Sequence, residues 1–226
     1  MAYSTISKPS LHFTTTTWSG TGSQQTISLP FQADWIWVKR RNSTANHAAQ
    51  DIVNAFGNRL SPDRNVALGS EPNGIGTVSG SGFNFQGDYA GSGYNENGGT
   101  YVSWNWKAGT GAGSSNTDGS INTTYTSVNT TAGFSIVSYT GTGSVGTFGH
   151  GLNSKPNMMI QKKRSGSAAW TVYHDKVASD PATDYLYLSS TAAVADYADH
   201  FNDTEPTSSV FTLGTDTSIN GSSATN

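Results

Sequence analysis

The chain reads as all-β: two tandem antiparallel β-sandwich modules with little helix. Three observations predict this. The sequence repeats itself internally, its apolar residues fall in short aromatic and β-branched runs broken by Gly, Asn, Ser and Pro, and its composition is aromatic yet nearly uncharged.

The repeat dictates the architecture, because a repeated unit fixes the module before any local signal does. Ser19-Gly20-Thr21-Gly22-Ser23 is followed by Ala33-Asp34-Trp35-Ile36-Trp37-Val38-Lys39-Arg40-Arg41. Later, Thr140-Gly141-Thr142-Gly143-Ser144 is followed by Pro156-Asn157-Met158-Met159-Ile160-Gln161-Lys162-Lys163-Arg164. Both stretches give a Gly-Thr-Gly turn, a connection, an apolar strand and a cluster of cations. Gly82-Phe83-Asn84-Phe85 with Asp88 corresponds in the same order to Val210-Phe211-Thr212-Leu213 with Asp216. The reading is a first sandwich over 1–108, a Gly/Ser-rich flexible linker over 109–118 and a second sandwich over 119–226. The first copy closes with the alternating strand Tyr101-Val102-Ser103-Trp104-Asn105-Trp106, and the second reaches Asn226 where that strand should begin. The second sandwich is therefore expected to lack one strand, supplied by continuing chain or by a partner.

Further strands are expected at Phe134-Ser135-Ile136-Val137-Ser138-Tyr139 and Tyr185-Leu186-Tyr187-Leu188, both rich in residues that suit a pleated, half-buried surface. Two segments carry helical composition, Asn46 to Phe56 and Thr191 to Phe201, the second equally consistent with an irregular loop.

Charged residues make up 12% of the chain, against about a quarter in an average soluble domain, yet it holds 6 Trp and 10 Tyr. So many large aromatics mark a chain with apolar area to bury, which argues against disorder. A net charge of −3 supplies no field for phosphate backbones, so nucleic acid is not an expected partner. With Cys at 0 there is no disulfide framework and no thiolate metal site. No apolar run reaches the roughly 20 residues that span a bilayer, and the opening residues have no signal-peptide pattern, so synthesis in a cytoplasm without membrane insertion is expected. The Asn-x-Ser/Thr sequons at Asn42, Asn122, Asn129, Asn202 and Asn220 then carry no weight as glycosylation sites.

Catalytic and cofactor patterns fail in context. Gly141-Thr142-Gly143-Ser144-Val145-Gly146 fits the dinucleotide fingerprint, but Gly149, Gly151 and Pro156 forbid the helix that would meet a pyrophosphate, so a hairpin turn is expected instead. Ser114 to Tyr125 has Asn116, Asp118, Gly119 and Ile121 at calcium-loop spacing, yet Ser and Tyr stand where the first carboxylate and the bidentate Glu belong. His12, His47, His150, His174 and His200 include no His-Glu-x-x-His arrangement. His174-Asp175 is an adjacent base and carboxylate, and alternation along a strand would point them to opposite faces. No cofactor, metal or catalytic residue is assigned.

Trp35 and Trp37 share one strand face, as do Trp104 and Trp106. Exposed, they would stack on a glycan; large aromatics usually dominate cores, and the counterparts Met158 and Ile160 point the same way, so a core position is expected. The recurring clusters Lys39-Arg40-Arg41 and Lys162-Lys163-Arg164 are expected to cap a sheet end or meet a neighbour's carboxylates. These ten residues are the candidates for partner or glycan contact.

The chain resembles a family of tandem β-sandwich modules in structural proteins of tailed phages, notably those of marine bacteria. The resemblance spans nearly the whole chain. It rests on Tyr3-Ser4-Thr5-Ile6, Phe31-Gln32-Ala33-Asp34-Trp35-Ile36-Trp37-Val38-Lys39, Tyr101-Val102-Ser103-Trp104-Asn105-Trp106-Lys107-Ala108, Ser115-Asn116-Thr117-Asp118-Gly119-Ser120-Ile121 and Pro206-Thr207-Ser208-Ser209-Val210-Phe211-Thr212-Leu213-Gly214. Ala33 departs from the usual Pro and loosens that strand entry. The resemblance implies jelly-roll, concanavalin-like or laminin-G-like sandwiches in a tail fibre or head appendage, with no catalytic residue to transfer. It implies a non-enzymatic virion protein that meets other virion proteins and copies of itself, a trimer by analogy with fibres, and that attaches to host-surface glycan. A free lectin-like module is the alternative, and a depolymerase with two carboxylates drawn from distant positions is the third reading.

Overall fold

The computed structural model describes residues 6–86 and 94–226. Tyr3, Ser4 and Thr5 of the opening motif, and Asp88 of the repeat, lie outside the described residues. The chain forms two compact units, the first comprising Met1–Ser61 and Gly69–Ala112, the second Pro62–Leu68 and Gly113–Asn226. Both are built from antiparallel sheets, as the alternating runs predict.

Unit 1 contains β1 (Phe13–Ser19), β2 (Gln25–Ser28), β3 (Trp35–Arg40), β4 (Ala48–Asp51), β5 (Asn58–Arg59), β6 (Gly69–Ser70), β7 (Ile75–Ser79), β8 (Gly82–Phe85) and β9 (Thr100–Trp106). One sheet has the order β1-β9-β3-β4, a second the order β2-β8-β7, and β5 pairs with β6. The core gathers one face from each larger sheet: Ile36, Val38 and Tyr101 from the first, Ile27, Phe83 and Phe85 from the second. Trp18 closes it, stacked on Tyr101 at 5.4 Å and tilted against Phe85 at 5.7 Å. Fully burying side chains of this size is worth about 2–3 kcal/mol each, which fixes the register of both sheets.

The helix expected over Asn46 to Phe56 is absent. Ala48–Asp51 is a strand, buried along its whole length and paired with β3 from Trp35↔Asp51 to Val38↔Ala48. Ala48 and Ala49 are small, the buried Gln50 donates to the Tyr94 hydroxyl and Asp51 accepts from Asn54, and tertiary pairing overrides a weak helical preference.

Unit 2 contains β10 (Thr123–Asn129), β11 (Phe134–Tyr139), β12 (Gly146–Gly149), β13 (Met158–Gln161), β14 (Thr171–His174), β15 (Asp184–Tyr187), β16 (Ala195–Asp196) and β17 (Val210–Leu213), with the one-turn helices α1 (Ala198–Phe201) and α2 (Thr217–Asn220). Its sheets run β10-β11, β12-β17 and β13-β14-β15-β16. Tyr139, Phe148, Tyr173, Phe201, Phe211 and Leu213 form its core. Of the segment Thr191 to Phe201, only the last turn is helical, because Ala195–Asp196 pairs with β15 instead. Pro62–Leu68 belongs to this unit through definite bonds: Leu68 donates to the Arg164 carbonyl at 3.0 Å, and the buried Trp170 indole donates to the Arg64 carbonyl at 3.2 Å.

The Gly-Thr-Gly segments are not hairpin turns. Each carries the chain from one sheet to another, β1 to β2 and β11 to β12, and a buried Asn clamps it by the same bonds in both units. In unit 1, Asn95 accepts from Thr21 N at 3.1 Å, donates to Ser23 O at 2.5 Å and takes Gly22 N on its carbonyl at 2.8 Å. In unit 2, Asn220 accepts from Thr142 N at 2.9 Å, donates to Ser144 O at 2.7 Å and takes Gly143 N at 2.7 Å. The leading Gly is obligatory at this crossing. A Cβ at Gly20 would lie 2.2 Å from Glu96 O, and one at Gly141 2.5 Å from Gly221 O.

The Gly/Ser-rich linker is pinned rather than free. The buried Asp34 carboxylate accepts Ala108 N at 2.7 Å and Thr110 N at 3.0 Å, and Thr126 N donates to Ser114 O at 2.8 Å.

Candidate interaction surface

The Trp pairs are not the core. On β3 the alternation is as expected but points the other way: Ile36 and Val38 are 0% exposed, while Trp35 and Trp37 lie on the outer face, half-buried. On β9 the inward positions are Tyr101, Ser103 and Asn105, and Trp104 and Trp106 face outward. The inward space beside β8 is filled by Phe83, Phe85, Trp18 and Tyr101, which leaves no room for four more indoles. The rule that large aromatics seek the core does not decide these strands, because other aromatics already fill the space and the smaller Ile36 and Val38 fit what remains.

Register then brings the outer rings together. Trp35 lies opposite Trp106, Trp37 opposite Trp104, and Phe13 opposite Trp106 from the other side. Trp35 stacks on Trp106 at 5.0 Å and on Trp37 at 6.1 Å, interplanar angles 27° and 22°. Phe13 tilts against Trp106 at 5.0 Å, and Trp104 meets Trp37 edge-on at 6.2 Å. Such offset and edge geometries are favourable beyond their area. Trp37 Nε1 donates to His47 Nδ1 at 2.9 Å, which holds that indole and fixes the imidazole tautomer. Phe13, 40% exposed, and His47 complete the row; the period of two along Phe13, Thr15 and Thr17 carried a signal for the first, and nothing in the sequence signalled the second.

The shape of the row limits its chemistry. Rings stacked at 5.0 and 6.1 Å cover part of each other's faces. A sugar ring stacks on a free face, whereas an apolar protein surface packs against edges as readily.

The basic clusters serve their own hairpins. Lys39 Nζ donates to Ala45 O at 2.6 Å, and Lys162 Nζ to Ala168 O at 2.8 Å, each closing the loop after its strand at the same separation of 6 residues. Burial lowers the Lys162 ammonium to about 8, with Lys163 adding to the effect. Arg40 pairs with Glu96 and also reaches Asn42 Oδ1 at 3.1 Å, and Lys163 Nζ donates to Thr217 O at 3.3 Å. Arg41 and Arg164 join the sheet end by backbone bonds, Arg41 N to Thr100 O at 2.7 Å and Arg164 N to Thr225 O at 2.8 Å.

The remaining candidate motifs are held as structural parts. Asn116 Oδ1 accepts Asp118 N at 2.9 Å in a tight turn, and Asn116 Nδ2 donates to the Asp118 carboxylate at 3.0 Å. His174 and Asp175 approach to 3.5 Å, closer than strand alternation predicts, because Asp175 lies past the end of β14 in a turn. His174 Nδ1 accepts Lys176 N at 3.1 Å, and the bond from Asn157 at 2.8 Å holds the Asp175 carboxyl below its ordinary range.

A family model described as "Domain of unknown function (DUF7483)" matches residues 8–225. The chain belongs to this family. One DUF7483 model runs through both repeat copies, so the pair of units is the family's unit. No curated protein and no solved structure matches the chain.

Proposed function

We propose that the chain is a non-catalytic structural protein of a bacteriophage virion, a tail-fibre or head-appendage component that packs against neighbouring virion chains through the outer aromatic row of unit 1. The row carries the reading: five large rings on one sheet, held in register by strand pairing and half-exposed, form an apolar surface that suits protein packing. Repeated sandwiches and a nearly uncharged polar exterior suit display on a particle. Attachment to a host-surface glycan is the second reading, favoured by the exposure of Phe13 at one end of the row.

The test is mass spectrometry of purified particles with immunogold labelling against this chain, alongside a Trp35→Ala, Trp106→Ala double variant. Label on tail fibres or head vertices, lost in the variant while the chain still folds, is the expected result. Absence from particles overturns the virion role; incorporation unchanged in the variant, with glycan binding lost, overturns the packing role in favour of the glycan reading.

A further inference from the structure

Residues 177–226 contain no Lys or Arg, and among their carboxylates only Glu205 meets a cation, Lys155. Two of the others, Asp199 and Asp216, act on a cluster of tyrosines in unit 2. Tyr185 and Tyr187 share one face of β15 by the period of two. Tyr197 joins them from the end of β16, where its N–H donates to Thr183 O at 2.9 Å. Tyr187 stands edge-on to Tyr185 at 5.0 Å, and its hydroxyl donates to the Tyr185 hydroxyl at 3.3 Å.

Backbone bonds place the two acids. Gly214 N donates to His200 O at 2.8 Å and Asp216 N to Asp199 O at 3.0 Å, so the turn after β17 runs along α1. A Cβ at Gly214 would lie 2.0 Å from Asp199 O, so this approach needs Gly. Asp216 Oδ1 caps α2, accepting Ser218 N at 2.7 Å and the Ser218 hydroxyl, and its Oδ2 has no hydrogen-bond partner among the described residues. Burial, the Tyr185 hydroxyl and the Asp216 charge push the Tyr187 phenol up to about 12, and hydrogen bonding to Asp199 raises Tyr197.

His200 lies beneath these rings. It is 1% exposed, stacked on Tyr185 at 4.1 Å and edge-on to Tyr197 at 5.3 Å, and neither of its ring nitrogens has a hydrogen-bond partner. Asp216 and Asp199 favour its charged form, but burial outweighs them and lowers the imidazole below its ordinary value. Held neutral, it leaves both carboxylates uncompensated and keeps a lone pair that no donor meets. The negative faces of the rings, two free carboxylates and an unmet acceptor call for one chemistry, a cation that carries N–H groups. A metal ion has no such groups, and the described residues hold no cluster of three metal-ligating side chains.

We infer that the Tyr185, Tyr187 and Tyr197 cluster is a binding site for an organic ammonium group, its N–H groups shared among Asp199, Asp216 Oδ2 and the His200 lone pair, its alkyl part on the Tyr197 ring. Tyr197, 44% exposed and outside the core of unit 2, is the ring that turns aside to admit it. The site lies in unit 2 and does not rest on the packing role of the aromatic row.

The experiment titrates n-butylammonium chloride into the whole chain carrying isotope-labelled tyrosine, with potassium chloride, n-butanol and tetramethylammonium chloride as comparisons. Saturable shifts of the Tyr185, Tyr187 and Tyr197 ring signals, with a Kd on the order of 1–10 mM, are expected for n-butylammonium and not for potassium chloride or n-butanol. Asp216→Asn keeps the helix cap, since Asn caps as well as Asp, and should weaken binding about fivefold with Tm unchanged. Tyr197→Ala, at an exposed position, should weaken it about threefold, read at Tyr187. Equal shifts with potassium chloride, or a Kd unchanged in Asp216→Asn, overturn the site. Tetramethylammonium has no N–H, so binding as tight as that of n-butylammonium overturns the assignment of the acceptors.

Discussion

The two units share a frame and differ in its outer surface. In both, a buried Asn clamps a Gly-Thr-Gly crossing, a Lys closes the loop that follows β3 or β13, and a buried Phe lies opposite an apolar partner within its sheet, Phe83 opposite Ile27 in one and Phe211 opposite Phe148 in the other. Unit 1 carries the aromatic row on its β1-β9-β3-β4 sheet; unit 2 puts Met158 and Ile160 where Trp35 and Trp37 stand, and among the described strands β13 pairs with β14 alone. What recurs holds the fold, because it is buried and hydrogen-bonded. What differs lies outside, where packing constrains residue identity least, and that is where function can diverge.

The sharpest break of this comparison is at the shared crossing. Gly20→Ala and Gly141→Ala each force a Cβ against a backbone carbonyl, and each should cost about 3 kcal/mol in denaturant unfolding. Asn95→Ala and Asn220→Ala remove equivalent clamps and should each cost about 2 kcal/mol; a large loss at one and none at the other would deny that the clamps are equivalent. On the outer face the units should part company: Trp35→Ala should cost about 1–2 kcal/mol through lost ring contacts, Met158→Ala less than about 0.5 kcal/mol.

Titration sharpens the contrast further. Burial lowers His150 and His200, both in unit 2, below the ordinary 6.5, so the folded state disfavours their protonation. Stability should be fully present above pH 6.5 and decline as pH falls below it, and His200→Phe should flatten that decline. The lowered Lys162 works in the alkaline range: the unfolded chain binds the extra proton between about 8 and 10.5, so its contribution to stability rises with pH across that window. Lys162→Met should remove this rise relative to the parent chain, measured as unfolding free energy against pH.

Much of the frame was legible in the sequence because it rests on periodicity and repetition. The alternation of β3 and β9 and the paired Gly-Thr-Gly segments follow from local pattern. The direction of that alternation did not, since pattern says which residues share a face and not which face is buried; only the competing bulk of Phe83, Phe85 and Trp18 decides it. The Ala48–Asp51 strand was hidden for the same reason, its composition suiting a helix until β3 pairs with it. The Asn clamps were hidden because each bonds across more than 70 residues, Thr21 to Asn95 over 74 and Thr142 to Asn220 over 78.

Amide exchange tests the central contrast most directly, at positions that correspond between the units. Trp37 and Lys39 lie on β3, between β9 and β4, while Ile160 lies on β13 and Lys162 next to it, and among the described strands β13 pairs with β14 alone. A central strand with two neighbours in one unit and an edge strand with one in the other predict strong protection at Trp37 and Lys39 and fast exchange at Ile160 and Lys162. Equal protection at all four positions would contradict it.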